Sequence, residues 1–253
     1  VEKLVLDEVD RMLDMGFIQD IRKIISKLPS RRQTMFFSAT MAPKMKTLAD
    51  SMLKDPVEIR IEPKKPTVDS IDQKVLYVTK YDKDELLVSL LSRPSVSRAI
   101  VFTQMKHTAN KVAKKLAKGG IKGTAIHGNK SQNARNRSLQ GFKSNRFDVL
   151  VATDVAARGI DVDSVTHVIN YDLPVEAETY IHRIGRTARA GSSGNALSLC
   201  TREDRAYLRD IEKLLGNPVP VVTDHPFHSN LVMNSVIVPP SSGGGRGGRR
   251  RRR

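Results

Sequence analysis

The sequence predicts an α/β fold on a doubly wound parallel sheet, with one partial lobe, one complete lobe and a disordered basic tail. Two observations carry that expectation. Short apolar runs alternate with amphipathic stretches of helical period from residue 4 to residue 215. Such alternation marks parallel strands joined by crossover helices. The series is parted once, at Pro63-Lys64-Lys65-Pro66, and it stops beyond Pro218. Paired prolines resist both helix and ladder, so the first break reads as a linker. The expected boundaries are therefore 1–62, a linker at 63–67, a complete lobe at 68–220 and a tail at 221–253.

Element by element, Leu4-Val5-Leu6 reads as a buried strand. A helix follows, with Leu13, Phe17, Ile21, Ile24 and Leu28 on one face at four- and three-residue steps, and Pro29 stops it. Thr34-Met35-Phe36-Phe37 is the next strand, residues 43–53 are helical, and Val57–Ile61 alternates as a third strand. Beyond the linker, strands are expected at Val75–Val78, Ala99–Phe102, Thr124–Ile126, Asp148–Ala152, His167–Asn170 and Ala196–Leu199. Helices fill the gaps near 83–92, 107–118, 131–142, 176–183 and 202–215, and Gly119-Gly120 is a good helix stop. This is the pattern of one complete doubly wound domain. From Gly243 onward the chain is low-complexity, rich in Gly and Arg.

Charge narrows the class of partner. The net charge is +16, and six arginines between Arg246 and Arg253 leave about +10 on the remainder. The basic excess therefore belongs to the folded part as well as to the end, which favours polyanions, nucleic acid first. A single cysteine, Cys200, excludes an internal disulfide framework, and its apolar neighbours mark it as a buried thiol. No apolar run approaches the length of a membrane span. The chain begins on Val1 without an initiator Met, so targeting is not readable from it.

Four stretches carry chemistry. Asp7-Glu8-Val9-Asp10 stands at the carboxyl end of an apolar strand, where ligands sit in open α/β sheets. Carboxylates there suit Mg²⁺ and the positioning of an attacking water, although acids also favour helix N-termini. Ser38-Ala39-Thr40 follows the next strand, where hydroxyls also cap helices. Thr153-Asp154-Val155-Ala156-Ala157-Arg158-Gly159-Ile160-Asp161 precedes His182-Arg183-Ile184-Gly185-Arg186-Thr187-Ala188-Arg189. Three arginines and a histidine in eight residues suit a polyphosphate whose charge is stabilised during transfer; a surface salt-bridge pair is the alternative. By contrast, Gly123–Ser131 nearly spells a phosphate loop, but Asn129 breaks the register of loop amides and lysine. Lys111, Lys114, Lys115 and Lys118 share a helix face that reads as solvated. His225 and His228 lack further ligands and read as incidental.

Taken in order, Asp7–Asp10, Ser38–Thr40, Gln132-Asn133-Ala134-Arg135 and the two arrays resemble the DEAD-box RNA helicases of superfamily 2. Asp10–Phe17 and Ile126–Gln132 look like the bacterial RhlE-type subgroup, and the resemblance runs from Val1 to about Pro220. It implies two RecA-like lobes that close on ATP, Mg²⁺ and RNA. In that scheme Asp7 holds Mg²⁺ through water and Glu8 orients the hydrolytic water. Asp161, with Gly159, contacts the nucleotide, and Arg186 and Arg189 are arginine fingers. Asp10, Ser38, Thr40 and His182 couple the lobes, while Arg135, Gly128, Thr153 and Asp154 line the RNA backbone groove. Arg-Gly tails of this kind bind RNA without sequence preference.

The resemblance also implies a cytoplasmic protein, with ribosome-assembly or RNA-decay proteins as partners and no membrane partner. Val9 stands where the family has Ala, Ala188 where it often has Gly, and Met105 where Thr or Ser bonds an RNA phosphate. The family's adenine-reading glutamine motif, phosphate loop and first RNA-binding motifs would all precede Asp7. The expectation is an N-terminally truncated helicase, inactive alone, whose first lobe exposes an unpaired sheet edge. The rival expectation is a non-catalytic RNA-binding module made of the second lobe and tail.

Overall fold

The computed structural model describes residues 1–14, 16–38, 41, 43–60, 70–157, 162, 165–188 and 193–237. Among the expected features, Thr40, Gly159, Asp161, Arg189, the 63–67 linker and the chain beyond 237 lie outside these residues. The chain divides into two units, 1–62 and 63–253.

In the first unit β1 (Lys3–Leu6) pairs in parallel with β2 (Gln33–Phe36), Leu6 opposite Phe36. Helices α1 (Val9–Asp14), α2 (Ile18–Ile25) and α3 (Pro43–Met52) complete it. Leu6, Val9, Ile21, Met45 and Leu48 form its core, with Leu4, Ile18 and Ile25 packed against them. Val5, on the opposite pleat from Leu4 and Leu6, is exposed, as is Phe37.

Two expectations are corrected here. The single helix from Leu13 to Leu28 is two helices, because Gly16 takes φ +77° and ends the first. Gly16 N–H bonds Leu13 O at 3.0 Å and Phe17 N–H bonds Met12 O at 2.9 Å. The break turns the inward face onto Ile18, Ile21 and Ile25, so Phe17 and Ile24 meet solvent. Of the expected Val57–Ile61 strand, Ile61 lies outside the described residues; the described part, 57–60, is in no strand, and Val57 is 88% exposed. An alternating pattern makes a strand only where a neighbouring edge accepts its main chain.

The second unit is a six-stranded, fully parallel sheet in the order β3-β8-β7-β4-β6-β5. Its strands are β3 (Ile71–Tyr77), β4 (Ala99–Phe102), β5 (Gly123–Ile126), β6 (Val149–Ala152), β7 (His167–Asn170) and β8 (Gly194–Cys200). Helices α4 (Lys83–Leu91), α5 (Lys106–Lys118), α6 (Gln132–Lys143), α7 (Asp154–Ala157), α8 (Ala177–Ile184) and α9 (Arg205–Leu215) fall between and after them. The central strands β4, β6 and β7 are buried throughout, which is why β4 and β6 read as unbroken apolar runs; in β7 the buried ends are His167 and Asn170. Val101, Val151 and Ile169 pack with Leu86, Leu90, Val112 and Leu116. The alternate residues Ile100, Phe102, Leu150 and Val168 pack with Phe142 and Ala156 in a separate cluster. Chain order reverses beside β4, so a crevice at the carboxyl ends of β4, β6 and β7 is where this topology places ligands.

The expected end of the lobe at 220 is also corrected. Residues 219–229 lie along β3 and lead into α10 (Asn230–Met233). Val75 N–H bonds Pro220 O and Val222 N–H bonds Val75 O, both at 2.9 Å. Ser229 N–H bonds Tyr77 O at 3.0 Å, and the Arg205 guanidinium donates to the carbonyls of Val232 and Met233. The outer edge of β3 thus finds partners for its main chain. Main-chain bonding leaves no periodic trace in the side chains, so the sequence read this segment as tail.

Three histidines of this unit, His127, His167 and His225, are buried, and burial is the first cause that pushes each below the usual 6.5. Lys130 and Lys106 push His127 further down, and His228 and Arg93 do so for His225 against Asp224. The unfolded chain therefore takes up protons near pH 6.5 that the folded unit refuses. Stability should be complete above about pH 7 and fall as pH drops through 6.5 toward the lowered native values. Melting curves at about pH 7.5 and 5 check this, and His225→Leu should flatten the dependence.

Candidate functional site

In the first unit the carboxyl ends of the paired strands bring Asp7, Glu8, Asp10 and Ser38 to one end of the sheet. Phe37 N–H bonds Leu6 O at 2.7 Å and Val9 N–H bonds Phe37 O at 3.1 Å, which ties the two turns together. Glu8 sits at φ +51°, a left-handed backbone that a non-glycine residue adopts at some expense. Its N–H bonds the Asp7 carboxylate at 2.9 Å, and its carbonyl accepts from Met12 N–H at the head of α1. Asp7 and Glu8 face solvent, Asp10 is buried, and Val9 is fully buried in the core, so its extra methyls relative to Ala are accommodated by packing. Among the described residues no three His, Cys, Asp or Glu side chains form a metal cage. An exposed Asp beside a second carboxylate fits hydrated Mg²⁺, which keeps its waters and is shared with substrate phosphates.

In the second unit the polar residues also collect at carboxyl ends. After β5, His127 is buried with Nε2 2.9 Å from Asn110 Oδ1, and Gly128 and Asn129 are exposed. A Cβ built on Gly128 would meet nothing within 4 Å, so its small size serves no packing in the unit and leaves room for an outside group. Ser131 caps α6, accepting Ala134 N–H at 3.3 Å, and no acid stands in the helix's first turn. Arg135 projects from that turn, its guanidinium 3.3 Å from Gln132 Oε1. Lys106 donates to Asn129 Oδ1 at 2.8 Å, and burial holds the neighbouring Lys130 below its usual range. One strand over, after β6, Thr153 accepts from the amides of Ala156 and Ala157. The result is a pair of neighbouring turns lined by the cations Lys106, Lys130 and Arg135, which suits phosphates.

The expected arginine array proves to be divided. Arg183 is 1% exposed, on the inward stripe of α8 with Tyr180 and Ile184. Its Nε and Nη2 donate to the two carboxylate oxygens of Asp154 at 2.7 and 2.8 Å. Its Nη1 donates to Asn170 Oδ1 at 3.1 Å and Asp172 O at 2.6 Å, and its Cζ lies 5.0 Å from the Phe102 ring centroid. Asp154, expected among the groove residues, is thereby occupied by Arg183. His182 and Arg186 remain half-buried on either side of it.

Asp172 extends the network, its carboxylate accepting from Gln104 N–H at 3.0 Å and from Lys83 Nζ at 3.1 Å. The sequence reading missed Arg183 and Asp172 as organisers of the site. For Arg183 the spacing with Tyr180 and Ile184 was the available signal; for Asp172 there was none.

The remaining expectations resolve simply. Gly123–Ile126 is strand β5, so the near-phosphate loop has no loop at its first glycine. Lys111 and Lys115 pair with Asp84 and Glu85 on α4, which makes that helix face a solvated one. Met105 is exposed before α5 and offers only its carbonyl, to Thr103 Oγ1 at 3.3 Å. Cys200 is fully buried, and burial pushes its thiol up. No helix among the described residues is long and apolar enough to cross a membrane.

Comparison with known proteins adds the following. Residues 1–48 match the DEAD/DEAH box helicase domain, and residues 82–191 match the helicase conserved C-terminal domain. The chain is 43% identical over 214 residues to ATP-dependent RNA helicase CshA of Limosilactobacillus reuteri, covering 85% of this chain and 43% of that protein. It is 41% identical over 233 residues to DEAD-box ATP-dependent RNA helicase RhpA of Helicobacter pylori, covering 92% and 47%. The chain thus spans about half the length of the curated relatives it matches. Among solved structures, E. coli DEAD-box protein SrmB, bound to regulator of ribonuclease activity A, is 37% identical with a TM-score of 0.61 over 63% of this chain and 95% of that one. S. cerevisiae Dbp5, bound to RNA and ADP BeF3, is 32% identical with a TM-score of 0.77 over 88% and 59%.

Proposed function

This chain belongs to the DEAD-box family of ATP-dependent RNA helicases, and we propose that it supplies half of the ATP site and most of one lobe's RNA groove for local duplex unwinding. The observation that carries the reading is the acid-free, Ser131-capped start of α6, flanked by Arg135, Lys106, Lys130 and open Gly128. That arrangement suits binding a phosphate backbone through charge, without reading bases.

In the proposed mechanism Arg135, Gly128 and Thr153 hold one RNA strand by its phosphates. Asp154 orders that turn from behind. Asp7 would hold Mg²⁺ through water, and a bound ion would supply neutralisation of the phosphoryl charge. Glu8 orients the attacking water and draws off its proton. Asp161 and Gly159 contact the nucleotide, and Arg186 and Arg189 reach its γ-phosphate only when the lobes close. Asp10, Ser38, Thr40 and His182 couple closure to RNA bending and release. The 253 residues contain no glycine-rich phosphate loop, so the chain by itself does not turn over ATP. Protein partners in ribosome assembly or RNA decay and a cytoplasmic location fit the same reading.

RNA-stimulated ATP hydrolysis tests it, with the chain alone and with a first-lobe segment carrying the phosphate loop supplied in trans. Turnover only on complementation supports the reading. RNA binding without turnover in either case would favour a non-catalytic binding module. Binding itself is checked by salt titration, where Arg135→Ala should make the log–log slope shallower by about 0.7, one phosphate contact on a single strand.

A further inference from the structure

We infer that Arg183 is a positioning residue that couples RNA occupancy of the Thr153–Asp154 turn to the register of α8, and so to Arg186. The inference rests on the proposed RNA reading of that turn. Four guanidinium bonds, to Asp154, Asn170 and the Asp172 carbonyl, join α8 to the carboxyl ends of β6 and β7. The Asp172 carboxylate passes the connection on to Gln104 N–H, in the turn after β4. The Thr153–Asp154 turn proposed to face RNA, the turn after β4 and the helix that carries His182 and leads into Arg186 therefore meet around one side chain.

The chemistry of this hub favours transmission. A bidentate guanidinium–carboxylate pair fixes plane and distance together, so the Asp154 turn and α8 cannot shift independently without breaking two charge-assisted bonds. Burial of the guanidinium excludes water that would otherwise replace those bonds. Stability alone is a weak reason for the pair, because well-packed apolar groups in such places are often as stabilising as a buried ion pair. A fixed orientation is what the pair supplies and apolar packing does not.

Hydrogen–deuterium exchange on the full 253-residue chain, with and without a saturating oligouridylate, tests the coupling. RNA should slow amide exchange at 153–157 by contact. It should also slow exchange at 177–187, where no RNA contact is proposed, by at least about fivefold, the low end of coupling between sites. Arg183→Lys keeps the charge but loses the fork. It should leave protection at 153–157 and abolish the RNA-dependent part at 177–187, a readout that a merely structural role would not move. Asp154→Asn provides a second variant and should decouple in the same way.

Absence of RNA-dependent protection at 177–187 in the unsubstituted chain would overturn the coupling even if both variants failed to fold. So would its persistence in a folded Arg183→Lys. No protection at 153–157, with no RNA binding, would instead overturn the RNA reading, and the coupling with it.

Discussion

Arg183→Ala is expected to lower the stability of the second unit by about 3–5 kcal/mol, the range for removing one member of a buried ion pair. The substitution strands the Asp154 carboxylate and the amide of Asn170, and it opens space beside the Phe102 ring. For a unit of this size each kcal/mol moves the melting temperature by about 2–4 °C, so a fall of roughly 6–20 °C is expected. Arg209 provides the control: it pairs with Asp210 at 3.4 Å with both side chains about half exposed. Arg209→Ala should shift the melt by no more than the equivalent of about 0.5 kcal/mol. Thermal unfolding of the two variants side by side decides the matter. Equal effects would remove Arg183 from the role assigned to it.

The second large effect concerns chemistry rather than stability. Arg186→Ala should leave RNA binding unchanged while lowering RNA-stimulated hydrolysis in the complemented system by about 10³-fold or more. An arginine finger acts on charge that develops only in transfer, so the loss should fall on kcat rather than on nucleotide affinity. Arg186→Lys should recover little, because an ammonium does not reproduce the planar fork. Steady-state kinetics at saturating RNA checks both variants, and a purely KM effect would exclude the finger role. Arg183 and Arg186 stand three residues apart, yet they are expected to fail in opposite ways.

That contrast shows where the sequence was legible. Val149–Ala152 read correctly as a strand because both faces are covered, which demands apolar residues at every position, while in His167–Asn170 the same demand falls on Val168 and Ile169. Val57–Arg60 misled because alternation reports a half-covered surface and not a pairing partner. Leu13–Leu28 misled because the period survives a glycine break while the face it points to does not.

Among the candidate site residues, Arg135 and Gly128 could be singled out from sequence because their order and spacing are local. The union of Asp154 with Arg183, 29 residues away, is a property of the folded sheet, as is the link from Lys83 to Asp172, 89 residues away. The array of arginines looked uniform in sequence because charge density ignores which side of a helix each residue occupies. Burial of Tyr180, Arg183 and Ile184 on one stripe separates the structural arginine from its half-buried neighbour.

The segment after Val219 changes what kind of edge the sheet presents. It runs along β3 toward that strand's carboxyl end and is held by Arg205 at the head of α9. Val75 N–H, Val75 O and Tyr77 O on the outer side of β3 are all taken by it. An open edge strand is a template on which a strand from another molecule can add. Where the segment lies, that template is already filled from within the same chain, and strand addition at this edge is blocked.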